Sequence, residues 1–478
     1  MASEHFERRL TWRDGFALAL IIPLAIFATA TPSIAAIGSL GVVLIFAICG
    51  VVALVQNRLF AEMATMFPDK AGGITMFANE AWKRRCAPLG VLASYGYWAA
   101  WAFGMGVFAL TFGSLIHAQF FSDVTWSVAL GSADVELGHL IGLGALVVST
   151  VLNARGIEFT IGLNKVLGGV ALLMIAVVVV GPFLTGDFDA SGLTYGLNAD
   201  GLAWGGWKVA LVFLFLFGWT VYGTEVCATI APEYLDPKRD VSKALMASAA
   251  LTLVVAVLVP IGLGGTVGDA AIAADPSAAL VAVFREVVGS GASVVTLVLA
   301  ATMLMILNVS SANSARALFG IADDGMGPIQ LAHLNKHGQP SRAILVGFVV
   351  NAFMLLFVGS VLGIIFASNV GAFVALTLSL CGFVLLRLDR PNAERPINVG
   401  RLGIPLAIAL VIYTVALLIV GFLSPAEAGY GGRTEQLIGL AVLLLPLLLW
   451  AYRRVVQDGL PLSLTTTSEP IAESHTEA

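Results

Sequence analysis

Long apolar runs separated by short polar segments extend along nearly the whole chain. A helix that crosses about 30 Å of hydrocarbon needs about 20 mostly apolar residues, and twelve runs approach or exceed that length. Apolar and polar positions do not alternate within the runs, so the pattern predicts helices and not strands. The predicted spans, numbered in chain order, cover residues 14–36, 38–60, 88–121, 138–154, 160–184, 207–231, 243–267, 291–321, 341–362, 363–387, 403–423 and 435–453.

Basic residues give the predicted orientation of the spans. With twelve spans both termini lie on one side of the membrane, and only Lys208, Arg285 and Arg433 among the 25 basic residues fall on the other side. Because Lys and Arg accumulate in cytoplasmic loops, both termini are predicted to be cytoplasmic. The sequence therefore predicts a multi-pass protein of the cytoplasmic membrane.

The same pattern predicts how the chain is organised. We expect a cytoplasmic N-terminus over residues 1–13, a first five-helix repeat over 14–184 and a second over 207–387. Helices 11 and 12 follow over 403–453. The tail over 455–478 is polar and rich in Ser and Thr, which predicts a disordered cytoplasmic segment.

Composition excludes several classes of protein. Charged residues make up 12% of the chain and apolar residues 58%, whereas a soluble protein carries about 25% charged residues. The net charge of −5 argues against nucleic acid as a partner, because phosphate binding needs a basic surface. The four cysteines and six histidines form no metal-ligand spacing or HExxH motif, and no Walker-type GxxxxGK[ST] occurs. We therefore predict no cofactor, no metal and no enzymatic activity.

Two predicted spans contain residues that break helices. Span 1 holds Pro23, and span 6 holds Gly218 and Gly223 close to Glu225. A single break is equally well explained by a kink or by a packing glycine. The pair is more informative, because spans 1 and 6 hold corresponding places in the two halves. Such paired breaks predict a binding site between inverted repeats, near the middle of the bilayer.

Glu225 strengthens that prediction. A carboxylate at this depth costs about 3 kcal/mol on insertion scales, and burial favours its uncharged form. We favour a role as proton carrier or substrate contact. The alternative is a buried acid that only bonds to a neighbouring helix.

Several short motifs resemble those of the amino acid–polyamine–organocation transporters. Residues 60–74 resemble the A-E-L-x-x-x-F-P-x-x-G-G signature after span 2, and residues 223–244 are similar to the G-F-E and E-E-x-x-x-P-x-R-x-x-P-x-A pattern. The remaining matches lie at residues 314–316, 322–328, 340–343 and 386–396. The set occurs in chain order and at the expected membrane depth.

The resemblance implies an all-α polytopic membrane protein with 12 transmembrane helices, a LeuT-type 5+5 inverted repeat plus two extra helices. It implies a secondary active transporter, a permease, that moves amino acids or closely related amines by alternating access, with proton coupling or exchange. A polyamine- or amine-selective transporter, or a sodium-coupled one, is the alternative within this fold. An intramembrane enzyme is the remote alternative. The implied partners are a small-molecule substrate, the coupling ion and the lipid bilayer.

The resemblance also implies the substrate-binding residues. In the family a Gly-Ser-Gly-Ile element of broken span 1 offers backbone amides to the substrate carboxylate, and residues 23–27 match it. Pro23 has no amide hydrogen, which weakens the case for an ordinary α-amino acid. Residues 221–225 match the Phe-Ser-Gly-Phe-Glu element of span 6. Together with tryptophans that either bind an ammonium group or simply pack, the candidates are Ala25, Ile26, Phe27, Thr29, Trp98, Trp101, Trp219, Tyr222, Gly223 and Thr224.

Four residues are candidates for ion coupling. Glu225 matches a glutamate that is proton-sensitive in some relatives. Lys165 resembles a lysine deep in span 5 of some members, although we favour its snorkelling to the cytoplasmic surface. Ser310 and Ser311 resemble in position the hydroxyl pair that coordinates sodium in LeuT-type relatives, and such serines also bond their own helix. Coupling through Glu225, or ion-independent exchange, is favoured over sodium.

Overall fold

A computed structural model places all twelve predicted runs on helices. It describes residues 8, 10–68, 73–130, 133–155, 158–197, 207–276, 278–425 and 432–465, without the side chains of residues 133, 158–168, 170–172, 219 and 232. Within these residues, nine helices are long and apolar enough to cross a membrane, and span 6, which bends in its middle, makes a tenth. One of the nine is the 55-residue stretch Trp12–Met66, whose two arms meet at the non-helical Gly38. The helical prediction is confirmed, and the exact number of spans stays a prediction.

The helix bounds follow the predicted runs closely. In chain order the helices are Trp12–Ala19 and Ile21–Met66 (spans 1 and 2), Ile74–Trp82, Ala87–Phe120 (span 3), Leu137–Arg155 (span 4), Glu158–Thr185 (span 5), Trp207–Tyr222 (span 6), Pro237–Val267 (span 7), Asp269–Ala274, Ala279–Val288, Ala292–Asp323 (span 8), Ser341–Phe353 (span 9), Val361–Asp389 (span 10), Gly403–Leu423 (span 11) and Arg433–Tyr452 (span 12). Short 3-10 helices cover Ala190–Gly192, Gly223–Ala228, Ala231–Glu233, Gly289–Gly291, Ile329–Leu331 and Gly400–Leu402. Single π turns cover Met354–Val358 and Arg453–Gln457. An antiparallel hairpin of Ser127–Leu130 and Ala133–Glu136 connects spans 3 and 4.

Helices five apart in sequence pack against each other. Span 2 packs on span 7, span 3 on span 8 and span 4 on span 9, and span 1 meets span 6. A short helix follows the second span of each half, Ile74–Trp82 in the first and Asp269–Ala274 in the second. Pairing of corresponding helices is what an inverted repeat produces. The boundaries of the two halves, 14–184 and 207–387, stay a prediction.

Asp269 fastens the turn between spans 1 and 2, at the predicted outer end. At this turn Gly38 has a φ of +72°, a backbone conformation that suits glycine. The Asp269 carboxylate accepts hydrogen bonds from the amides of Ser39 and Thr194, both at 2.7 Å, and from both hydroxyl groups. The carboxylate is buried, so these four donors compensate for its lost hydration.

Glu62 connects two segments at the opposite end of the bundle, which is predicted to be cytoplasmic. Its carboxylate accepts two hydrogen bonds from the Arg387 guanidinium, at 2.8 and 2.6 Å, and forms an ion pair with Arg395 at 3.2 Å. The amide of Val399 donates to it as well, at 2.8 Å. These bonds join the end of span 2 to the segment after span 10. The motif at 60–74 therefore contacts the motif at 386–396.

The first residues of the predicted C-terminal tail contact the rest of the described structure. Arg453 forms an ion pair with Asp458 at 2.8 Å, and the Arg454 guanidinium donates to the carbonyl of Pro461 at 2.7 Å. The amide of Ala87, at the start of span 3, donates to the carbonyl of Leu464 at 2.6 Å. The disorder predicted over 455–478 stays a prediction. Residues 466–478 lie outside the described residues.

We expect Asp269→Ala to lower the free energy of unfolding. The substitution leaves buried amide and hydroxyl donors without an acceptor, and hydrogen bonds to charged groups contribute about 1.5–3 kcal/mol each. A drop of several degrees in the melting temperature of the purified protein in detergent is the expected result. Asp134→Ala serves as control, because Asp134 is exposed in the hairpin. Equal melting temperatures of the two variants would contradict the role of Asp269.

Candidate functional site

A cavity lies between spans 1, 3, 6, 8 and 10 in the middle of the helix bundle. Its empty volume, including the opening, is about 670 Å³. The walls are mostly apolar and aromatic, and the aromatic residues among them are Tyr97, Trp101, Phe108, Tyr222 and Phe373. An apolar pocket with few polar groups, placed between helices, is the usual form of a small-molecule site.

Three polar side chains of the cavity have an atom without a hydrogen-bond partner among the described residues. These atoms are Oε2 of Glu225, Oγ of Ser310 and the hydroxyl of Tyr97. All three residues are buried and line the cavity. Buried polar groups almost always have partners, and an exception calls for an explanation. A polar ligand in the cavity would supply the missing partner.

Span 6 bends beside the cavity. The axes of segments Trp207–Gly218 and Thr220–Ala228 differ by 43°, and the helix narrows to a 3-10 turn over Gly223–Ala228. The Asn369 side-chain amide of span 10 donates to the carbonyls of Phe215 and Leu216, both at 2.8 Å. A side chain that bonds into the helix ladder is a known cause of a kink. The bend therefore depends on span 10 as well as on the glycines of span 6.

A second asparagine bonds to the part of span 6 that follows the bend. The Asn57 side-chain amide of span 2 donates to Oγ1 of Thr224 at 2.9 Å and to the carbonyl of Leu245 in span 7 at 3.0 Å. This bond turns the Thr224 side chain toward span 2. Thr224 is accordingly absent from the cavity wall, although the resemblance implied a substrate contact.

The interruption of span 1 lies earlier than the resemblance implied. Residues 23–27 are helical, and the interruption is a turn at Leu20, whose amide donates to the carbonyl of Ala17 at 3.3 Å. Pro23 thus stands in the first turn of the helix that starts at Ile21. First-turn amides lack an intrahelical acceptor, so a proline is tolerated there.

The structure brings six of the predicted site residues together on the cavity wall. They are Ala25, Trp101, Tyr222, Gly223, Glu225 and Ser310. The described residues of the wall do not include Ile26, Phe27, Thr29, Trp98, Thr224 or Ser311. The side chains of Lys165 and Trp219 lie outside the described residues. The roles of all these residues in binding and coupling stay predictions.

Two of the residues away from the wall have clear structural partners. The Thr29 hydroxyl donates to the carbonyl of Ile26 at 3.2 Å and accepts from Thr220 at 3.4 Å. Thr220, which the sequence analysis did not select, lines the cavity in its place. The Trp98 ring packs edge-on against Tyr95, with ring centroids 6.2 Å apart.

Other cavity residues carried weak signals or none in the sequence. Tyr97 lies one helical turn before Trp101, and this spacing places both on one face of span 3. Phe373 and Ile306 are single apolar residues in apolar spans, which no sequence pattern distinguishes from packing. Among the described residues, no three His, Cys, Asp or Glu side chains are grouped so that they could hold a metal ion.

Comparison with known proteins identifies the family. The family described as "Amino acid permease" matches residues 10–445, nearly the whole chain. The chain belongs to the amino acid permease family. This permease is 28% identical over 429 residues to an uncharacterized transporter of Mycobacterium tuberculosis, covering 86% of this chain and 88% of the relative.

Two further relatives have names that state what they transport. A polyamine transporter of Oryza sativa subsp. japonica is 28% identical over 402 residues, which cover 81% of this permease and 68% of the relative. A D-serine/D-alanine/glycine transporter of Escherichia coli is 23% identical over 352 residues, which cover 69% and 71% of the two chains.

We expect Gly218→Ala to impair uptake by this permease. An added Cβ would lie 2.7 Å from the rings of Phe373 and Tyr222, and overpacking of this kind costs about 1–3 kcal/mol, or roughly tenfold in affinity. Gly144→Ala is the matched control, because an added Cβ there meets nothing within 4 Å. Initial uptake rates, normalised to the protein in the membrane, measure the effect. Equal rates would show that the Gly218 side of the cavity tolerates the methyl group.

Proposed function

We propose that this chain is a secondary transporter that carries an amino acid or a closely related amine through the central cavity. The observation that carries the proposal is the buried Glu225 carboxylate, which lines the cavity with one oxygen unpartnered. The ammonium group of a substrate is the partner that such an oxygen would favour. Membership of the amino acid permease family supports the same class of substrate.

The cavity wall supports a substrate with one amine and an apolar body. Glu225 is the only acidic or basic side chain among the described wall residues. A second positive charge, as in a basic amino acid or a polyamine, would be buried there without an acidic partner, at a cost of several kcal/mol. The aromatic side chains of Tyr97, Trp101 and Phe373 instead fit an aliphatic or aromatic side chain.

A substrate that lacks the carboxylate is the second candidate. Pro23 offers no amide in the first turn of the helix at the cavity, where two isoleucines, Ile21 and Ile22, line the wall. Fewer amides there weaken the binding of a carboxylate. The name of the rice relative, a polyamine transporter, supports amines as a class, although the single acid of the described wall favours a monoamine.

We propose that Glu225 also carries the coupling proton. An isolated carboxylate in an apolar surrounding favours the protonated form, and an arriving ammonium group favours the ionised form. The proton and the ammonium group of the substrate therefore compete for the Glu225 carboxyl group. Sodium is the alternative, with the unpartnered Ser310 hydroxyl as a ligand.

The proposal places the permease in the cytoplasmic membrane with both termini in the cytoplasm. The concentration of Lys and Arg at one end of the predicted spans supports this orientation. We propose that spans 1 to 10 form two five-helix halves that alternate access to the cavity, while spans 11 and 12 flank them. We propose transport without catalysis, because among the described wall residues no nucleophile is hydrogen-bonded to a base.

Uptake into proteoliposomes tests the substrate. We expect accumulation of labelled L-leucine or L-phenylalanine, faster with an acidic lumen, because a proton that competes with the substrate for Glu225 is carried out as the substrate enters. We expect no accumulation of arginine or putrescine. Phenethylamine has the ring of L-phenylalanine without its carboxylate, so competition by phenethylamine alone would favour the second candidate. Accumulation driven by a sodium gradient at equal pH would contradict proton coupling.

Glu225→Gln tests the proton carrier. We expect loss of pH-driven accumulation, because the amide cannot exchange a proton. Glu435→Gln is the matched control: Glu435 and Glu225 are both 5% exposed, but Glu435 binds the amide of Gly432 at the start of span 12. A pH profile of uptake that is identical in Glu225→Gln and the wild type would remove Glu225 from the coupling step.

A further inference from the structure

Tyr222 lines the cavity, and its hydroxyl bonds to a residue that is not among the described lining residues. The ring lies beside Gly218 and Phe373, with a distance of 6.1 Å between the ring centroids of Tyr222 and Phe373. The hydroxyl lies 2.8 Å from the hydroxyl of Tyr413, which belongs to span 11. We propose that Tyr413 is a positioning residue of the substrate site, acting from outside the ten-helix core through Tyr222. The inference rests on the proposed function and adds a determinant of specificity to it.

Burial makes the hydrogen bond between the two tyrosines important. Tyr222 is buried, so its hydroxyl has no water with which to replace Tyr413. An unpartnered buried hydroxyl costs more than the bond itself contributes. Without Tyr413, the Tyr222 hydroxyl keeps the Cys49 thiol as a neighbour, but a thiol is only a weak hydrogen-bonding group. The nearby cavity offers stronger acceptors, because it has oxygen atoms without a partner among the described residues. The ring would then leave its place against Phe373.

The position of Tyr222 in span 6 connects this bond to the substrate. Tyr222 is the last residue of the α-helix, and the 3-10 turn that carries Glu225 starts at the next residue, Gly223. A fixed Tyr222 ring therefore defines both the apolar wall and the start of the turn. Tyr413 thereby determines how closely the wall fits the apolar part of the substrate.

Span 11 offers a matched control beside Tyr413. The hydroxyl of Thr414 accepts a hydrogen bond from Thr377 of span 10, also at 2.8 Å. Thr377 is not among the described residues of the cavity wall. Thr414→Val and Tyr413→Phe thus each remove one hydroxyl–hydroxyl bond between span 11 and the core, and only the second bond leads to the cavity.

The test compares KM values for uptake of L-leucine and L-phenylalanine by the two variants. We expect Tyr413→Phe and Tyr222→Phe each to raise KM about fivefold, and Thr414→Val to leave it within twofold of the wild type. The double variant Tyr222→Phe/Tyr413→Phe should have a KM no higher than either single variant, because removal of both partners leaves no hydroxyl unpaired. Additive losses in the double variant, or equal KM values for Tyr413→Phe and Thr414→Val, would overturn the proposal.

A second readout does not need the substrate. Ala372 lines the cavity next to Phe373, so the cysteine of Ala372→Cys reports on the wall through its rate of labelling by a small hydrophilic thiol reagent. We expect Tyr413→Phe to change this rate about threefold and Thr414→Val to leave it unchanged. Equal rates in the two variants would also overturn the proposal. A wild type that takes up neither amino acid would count against the proposed function, while the labelling rates would still decide the role of Tyr413.

Discussion

A bent helix inside a membrane must satisfy its polar groups within the protein, and the arrangement around span 6 follows from that constraint. Water is absent from the hydrocarbon region, and each unsatisfied backbone group costs several kcal/mol there. Neighbouring helices supply the partners. Asn369 bonds to two carbonyls that precede the bend in the chain, and Asn57 bonds to Thr224, which follows it. The hydroxyl of Tyr413 forms a hydrogen bond with the hydroxyl of Tyr222, which lies between these two parts of span 6. Glu225, by contrast, lines the cavity with one carboxylate oxygen that has no partner among the described residues.

Buried carboxylates at the two ends of the helix bundle are also satisfied by groups of the protein. Both ends hold buried carboxylates, among them Asp269 at the predicted outer end and Glu62 at the predicted cytoplasmic end. Asp269 is surrounded by hydroxyl and amide donors, whereas Glu62 meets two guanidinium groups. Both carboxylates are fully bonded, so we interpret them as structural. Glu225 differs from them because it lines the cavity and one of its oxygens has no partner among the described residues. This difference supports the proposal that Glu225 is functional.

The sequence predicted the interruption of span 6 correctly. In span 1 it predicted an interruption but placed it too late in the chain. Two glycines close to a carboxylate in an apolar run indicated the bend of span 6, because a functional site is the usual reason for an acid at that depth. Pro23 is ambiguous, because a proline stands equally well inside a kink or in the first turn of a new helix. The helix begins at Ile21, so the second explanation holds. The hydroxyls of Thr29 and Thr224 bond to protein groups, and the roles of both residues in binding stay predictions.

The sequence by itself determined the helical spans, their apolar lengths and the presence of an acid deep in span 6, because these depend on residues close together in the chain. The tertiary structure decided which side chains share the cavity, because that depends on helix rotation and on partners hundreds of residues away. Thus Tyr97, Phe373 and Ser310 come together from spans 3, 10 and 8. Likewise, the bond between Tyr222 and Tyr413 joins two apolar helices whose local sequences give no sign of it.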